Sequence, residues 1–195
     1  MRVIGQRGHT TSTVAQRMAR NKKLTIWTVG HSNKTLDDLL ELLTSNEIEA
    51  IADVHSFPSS RKFPHFNAEP LARSLKDVGI GYEPFLDLGG RRRVRPDSHN
   101  TAWINESFRG YADYMETAEF AAGIERLLGF AALQRTAVMC AEALWWRCHR
   151  SMISDELTSR GHSVLHITGV GKTTPHSYTQ PARIVDGKLT YAAEA

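Results

Sequence analysis

TIWTVGHSNKTLDDLLELLTSNEIEAIADV, residues 25–54, is the stretch that decides the fold. It opens on Thr25-Ile-Trp-Thr-Val29, a β-branched and aromatic run closed by Gly30, which reads as a strand. Thr35 with Asp38 three residues on resembles a capping box, and Leu36, Leu39, Leu40 and Leu43 follow at helical spacing. Ile48 to Val54 then reads as a second strand. The same alternation continues outward. Asn67 is an N-cap with Pro70 in the first turn of a helix whose stripe is Leu71, Leu75 and Val78, stopping at Gly79. Ile80 to Phe85 is a third strand, and Leu88 to Thr101 is irregular, polar and Arg-rich. Helices are expected over Glu106 to Met115 and over Ala118 to Leu133, the latter capped by Thr117. Thr136 to Cys140 is a fourth strand, Cys148 to Ser159 a helix ending at Gly161, and Ser163 to Thr168 a fifth strand. Past Gly169 the pattern weakens until Asp186-Gly187, set between Arg183-Ile-Val185 and Lys188-Leu-Thr-Tyr191, signals a hairpin. The expected fold is α/β: a three-layer sandwich around a mostly parallel sheet of about five strands, plus a C-terminal hairpin.

Composition sets the outer limits. The chain has 195 residues, 41% apolar, 23% charged and 8% aromatic, which suits one domain with appendages. The longest apolar run, Leu127 to Leu133, falls far short of the ~20 residues a bilayer-spanning helix needs. Two cysteines make no disulfide scaffold, and with no secretory signal in view the expected compartment is the cytoplasm. The net charge of +3 hides an asymmetry. Met1 to Lys23 carries six basic residues and no acid, so Leu24 to Ala195 holds 18 basic against 21 acidic residues, a net of −3. That body does not present a uniformly basic nucleic-acid face. Residues 1–23 read as a disordered basic extension, with a nucleic-acid arm and a targeting segment as alternatives. Residues 24–168 form the α/β domain and 169–195 a tail with the hairpin.

In open α/β sheets the ligand sits beyond the carboxyl ends of the strands. There the sequence places Gly30-His31-Ser32, then Asp53, His55 and Pro58-Ser-Ser60-Arg61, then Leu88-Gly-Gly90-Arg91-Arg-Arg93, then Cys140, Glu142 and Arg147-Cys148-His149-Arg150. The opposite turns, such as Thr44-Ser-Asn-Glu47 and Gln134-Arg135, are plain polar connections. No Gly-x-Gly-x-x-Gly follows the first strand, so a standard dinucleotide fingerprint is absent. Gly169-Val-Gly-Lys-Thr-Thr174 lacks the first glycine of a P-loop and runs into Pro175 instead of a helix. From Cys140 the next arginine is Arg147, one position too far for a Cys-x5-Arg phosphatase loop.

Thr28-Val-Gly-His-Ser32, Asp53-Val-His55, Pro58-Ser-Ser-Arg61, Leu88-Gly-Gly-Arg91, Gly110-Tyr-Ala-Asp-Tyr-Met115 and Met139-Cys-Ala-Glu142 with Cys148-His-Arg150 together resemble the domain of unknown function 488 family over roughly residues 24 to 168. The family usually carries Asp-Val-Arg where this chain has Asp53-Val54-His55. The resemblance implies no established activity, so the chemistry rests on the residues.

Cys148, near a helix N-terminus and flanked by Arg147, His149 and Arg150, has the surroundings that lower a thiol's pKa. It reads as nucleophile, metal ligand or redox thiol, against a buried inert cysteine. Cys140, eight residues earlier across one turn, reads as structural, with a reversible disulfide or shared metal open to the pair. Glu142 is a general base or the orienter of His149 or His31, against an ion pair with Arg147, Arg150 or Arg61. His31 is an acid–base group or ligand, against a hydrogen-bonded cap. The arginines, with Gly90 freeing backbone N–H groups, suit an anion. Phe57, Phe63, Phe66, Trp103 and Trp146 border these loops as stacking or core residues, whereas Tyr82, Trp145, Tyr111, Tyr114 and Met115 read as packing. Two functions remain. One is an enzyme acting on a phosphate-bearing substrate, nucleotide or nucleic acid, with Cys148, Glu142 and His31 catalytic and Ser32, Asp53, His55, Ser60, Arg61, Gly90, Arg91, His149 and Arg150 binding substrate. The other is a non-catalytic nucleotide- or nucleic-acid-binding module of the same fold. No cofactor is compelled; a metal would take His31, Asp53, Cys148 and His149.

Overall fold

The structure is a computed structural model that describes residues 23–56 and 63–193. Nothing of the basic extension beyond Lys23 is among them, nor are Phe57, Pro58, Ser59, Ser60 and Arg61.

The first strand, β1 (Thr25–Gly30), leads through α1 (Leu36–Ser45) to β2 (Ala50–Asp53), as expected from the first stretch. Thr35 and Asp38 close a reciprocal capping box on α1. A 3₁₀ turn and α2 (Ala68–Asp77) lead to β3 (Gly81–Pro84); Val78 lies just past α2, exposed, where the sequence had placed it on the buried stripe. The Arg-rich segment then runs to α3 (Glu106–Met115) and α4 (Ala118–Ala131), with Thr117 capping α4. Next come β4 (Thr136–Cys140), α5 (Arg150–Ser159) and β5 (Ser163–Gly169). The sheet holds one strand more than expected: β6 (Lys172–Pro175) turns back at Gly171 (φ +60°) and adds antiparallel to β5. All four of its residues are exposed, so no burial alternation marks it in the sequence. The hairpin β7 (Arg183–Val185) and β8 (Lys188–Thr190) forms with Asp186 and Gly187 both at positive φ, as its two-residue turn requires.

The sheet order is β3-β2-β4-β1-β5-β6, with the first five strands parallel. Period-2 alternation divides its side chains between two cores. Ile26, Ala52, Val138 and Cys140 face α3, α4 and α5, meeting Tyr111, Phe120, Ile124, Leu127, Met152 and Leu157. Trp27, Val29, Ile51, Ala137 and Met139 face α1 and α2, meeting Leu39, Leu43, Leu71 and Leu75. Each fully buried Leu, Ile or Phe of these layers contributes about 1.5–3 kcal/mol of transfer free energy. Burial on both faces is why the strands read as nearly continuous apolar runs. The hairpin packs Leu189 against the first core. Among the described residues no helix is long and apolar enough to cross a membrane.

The chain leaves β1 toward β2 and β3 on one face, then returns through β4 to β5 on the other. The connections after β1 and β4, which are neighbours, therefore part to opposite faces, and the crevice between them is where such sheets bind ligands. Register sets the chemistry level there: Gly30 lies opposite Cys140, and Asp53 opposite Met139.

Candidate active site

Pairing of β1 with β4 continues one step into the loops. His31 N donates to Cys140 O at 3.2 Å and Ser32 N to Ala141 O at 2.7 Å. Gly30 is required for this approach, because a Cβ there would lie 1.9 Å from the Glu142 carbonyl oxygen. Arg150 Nη2 donates to that same oxygen at 2.6 Å, clamping the loop after β4 against β1.

The crevice opens into a cavity of about 910 Å³. Its walls are His31, Ser32 and Asn33 after β1; His55 and Ser56 after β2; Phe63 and Phe66; and Gly90 and Arg91 after β3. The start of α3 adds Asn105, Ser107, Phe108 and Tyr111, and the segment after β4 adds Cys140, Ala141, Glu142, Arg147, Cys148 and His149. Ser32 and Arg91 hold positive φ (50° and 59°), local strain gathered at the cavity wall. The Gly110-to-Met115 motif explains how the Arg-rich loop is held. Tyr111 and Tyr114 donate their hydroxyls to the Leu88 and Asp87 carbonyls, and Asp113 accepts from Arg95 N, Ser98 and Asn100. These tyrosines thus do more than pack.

Cys148 lies two residues ahead of α5, which begins at Arg150 and not at the cysteine as the sequence suggested. Its Sγ is 3.6 Å from His149 Nδ1 and accepts the Arg150 backbone N–H at 3.5 Å. His149 Nε2 lies 3.2 Å from the Val54 carbonyl oxygen, which can only accept. That contact fixes Nε2 as the protonated nitrogen and turns Nδ1 toward the sulfur. Gly90 leaves room for the ring, since a Cβ there would sit 2.9 Å from Nδ1. The Cys140 and Cys148 sulfurs are 2.8 Å apart. Burial opposes ionisation of Cys148, but Cys140, His149 and the Arg150 charge outweigh it and draw the Cys148 thiol well below the ordinary range. The hydrogen bond to Cys148, then burial, pushes the Cys140 thiol up.

Opposite them stand two histidines and a buried carboxylate. Asp53 is buried and accepts from the His55 backbone N–H, from His55 Nδ1 in a very short contact, and from the Tyr82 hydroxyl at 2.5 Å. His31 Nδ1 faces the Ser32 carbonyl at 3.0 Å, and His31 Nε2 faces His55 Nε2 at 3.3 Å. Burial, then the neighbouring His55, lowers the His31 pKa to about 4, so the ring is neutral at pH 7. Its Nδ1–H donates to the Ser32 carbonyl, which can only accept, and this leaves the Nε2 lone pair turned toward His55.

Among the anticipated residues, His31, Ser32, His55, Gly90, Arg91, Glu142, Cys148 and His149 share this cavity. Asp53 and Arg150 do not line it: Asp53 stands behind His55, and the Arg150 guanidinium is buried under the Glu142 carbonyl. Ser60 and Arg61 fall outside the described residues. Glu142 departs from the expected partly buried base. It is exposed at the rim and pairs with neither Arg147 nor Arg150, while the orienting tasks imagined for it fall to the Val54 and Ser32 carbonyls. Arg92 stacks on the Tyr114 ring at 3.5 Å. Sequence reasoning missed Asn105 and Ser107 on the wall; Asn105 caps α3, its side chain accepting from the Ser107 and Phe108 backbone N–H groups. It also missed a buried chain linking Thr28, His166, His176 and Asp155, beneath Trp145 stacked on His166. Among the described residues, the donors that gather closely enough for a metal are Cys140, Cys148 and His149, within 4.8 Å of one another. The set expected from sequence is not assembled, because Asp53 is taken up by His55 and Tyr82.

No curated protein and no solved structure matches the chain. A family model, described as domain of unknown function DUF488, matches residues 35–157, which span β2 to β4, Cys148 and most of α5. The chain belongs to the DUF488 family.

Proposed function

We propose that the cavity is the active site of an enzyme that attacks an anionic, phosphate-bearing substrate with the Cys148 thiolate. The observation that carries this reading is the Cys148–His149 pair opening on the cavity, its tautomer fixed by the Val54 carbonyl. His149 Nδ1 takes the thiol proton, and the adjacent Arg150 charge stabilises the thiolate. Across the cavity, the His55 imidazole, with Asp53 behind it and His31 Nε2 3.3 Å from its own Nε2, is the group that passes a proton to the departing group. The charge of the walls favours an anion: two guanidiniums, Arg91 and Arg147, face one carboxylate, Glu142. A guanidinium fork suits a phosphate, and a nucleotide is the substrate class that would also use the Phe63, Phe66 and Phe108 rings.

The test is the pH profile of Cys148 alkylation by iodoacetamide, followed by peptide mass, with inorganic phosphate and a nucleoside monophosphate as protectants. The expected result is alkylation well below the ordinary thiol midpoint of about 8.5, slowed by either anion. An ordinary midpoint, or no protection by either, overturns the proposal.

A further inference from the structure

Cys140 is a buried nucleophilic group that the proposed chemistry does not use, and it belongs to the same cavity wall as Cys148. We infer that Cys140 is the resolving partner of Cys148, so that a hydroperoxide converts the pair into a reversible intramolecular disulfide; the inference rests on the Cys148 reactivity proposed above.

Three features carry it. The two sulfurs are 2.8 Å apart, so closing to the bonded distance of about 2.05 Å asks for a movement of less than about 1 Å. Both cysteines, though buried, belong to the wall of a cavity large enough to admit a small oxidant. Only seven residues separate the cysteines, and both ends are anchored, Cys140 in β4 and Cys148 just ahead of α5. Arg150 is buried beside the pair, its backbone N–H 3.5 Å from the Cys148 sulfur, and among the described residues no carboxylate lies within ion-pair distance of its guanidinium.

The chemistry balances as follows. The Cys148 thiolate attacks the terminal oxygen of the hydroperoxide; an S–O bond forms, the O–O bond breaks, and the departing alkoxide takes the proton held by His149. The product is a Cys148 sulfenic acid. The Cys140 sulfur then attacks the Cys148 sulfur. The S–S bond forms, the S–O bond breaks, and hydroxide leaves with the Cys140 proton as water. Two thiols are oxidised by two electrons, and the peroxide is reduced to an alcohol and water. A dithiol reductant reverses the step by exchange.

The experiment uses the reduced full-length chain with hydrogen peroxide, read by intact mass and by tryptic mapping. Trypsin cuts after Arg135, Arg147 and Arg150, so a Cys140–Cys148 bond joins peptides 136–147 and 148–150. The expected product is about 2 Da lighter, yields that joined pair, and is restored by dithiothreitol. Cys140→Ser is expected instead to gain about 16 Da on Cys148 and to form a dimedone adduct that the wild type lacks. If the wild type forms the adduct as fast as Cys140→Ser, or no joined peptide appears even after chelator treatment removes any bound metal, the inference fails. Iodoacetamide reactivity of Cys148 in the same reduced sample separates that failure from failure of the enzyme reading.

Discussion

Acidification is expected to destabilise this fold through two buried histidines. Burial, then His55, lowers the pKa of His31 to about 4, and burial, then His176 and Arg150, lowers that of His166 to about 3, from 6.5. The unfolded chain therefore binds protons before the folded one does, and stability falls as pH falls. It is whole above pH 6.5, declines from 6.5 to about 4 for His31 and to about 3 for His166, and levels off below those values. At pH 5 an unfolded histidine is almost fully protonated while neither folded ring is, which costs about 2 kcal/mol per ring. Solvent screening trims the pair to about 2–4 kcal/mol, a large share of a typical 5–15 kcal/mol stability. Urea unfolding followed by tryptophan fluorescence at pH 7.5, 6.5, 5.5 and 5.0 measures the slope. His166→Gln, although less stable overall, is expected to lose about half of that slope. A stability that stays flat between pH 7 and 5, or a slope untouched by His166→Gln, refutes the reasoning.

Two substitutions probe the neighbouring elements. Gly90→Ala places a methyl 2.9 Å from His149 Nδ1; the fold should survive while alkylation of Cys148 at neutral pH slows by about tenfold, as loss of one positioned base implies, and an unchanged rate would show that His149 does not govern the thiol. Asp155→Asn removes a buried carboxylate that accepts from His176, from the Thr179 backbone and hydroxyl, and from Tyr191. A loss of about 2–4 kcal/mol in urea unfolding, with easier proteolysis of the segment after Pro175, is the expected outcome, and a loss under about 1 kcal/mol would mean the chain of hydrogen bonds is not structural.

The elements that read correctly from the sequence are those in which local physics and burial agree. The Thr35 capping box, the leucine stripes of α1 and α2, the β-branched run of β1 and the Asp186-Gly187 turn each carry their own signal within a few residues. β6 carries none, because an exposed antiparallel edge strand has no buried face to pattern. The start of α5 was misjudged because Cys148 takes an extended conformation that helical spacing cannot reveal.

The same division holds for the candidate site. Sequence alone determined that His31, His55, Cys148 and His149 fall at the carboxyl ends of strands, because a parallel sheet puts every such turn on one edge. It did not determine what each side chain does there, since those tasks follow from contacts between residues distant in the chain. The Val54 carbonyl, 95 positions from His149, fixes that ring's tautomer. Pairing of β2 with β3 brings Tyr82, 29 positions away, onto the Asp53 carboxylate that His55 also occupies, and the turn after β4 puts the Arg150 guanidinium beneath the Glu142 carbonyl. Whether a carboxylate or a guanidinium faces the cavity or supports its wall depends on distances of a few ångströms set by packing across the sheet, and these exist only once the chain is folded.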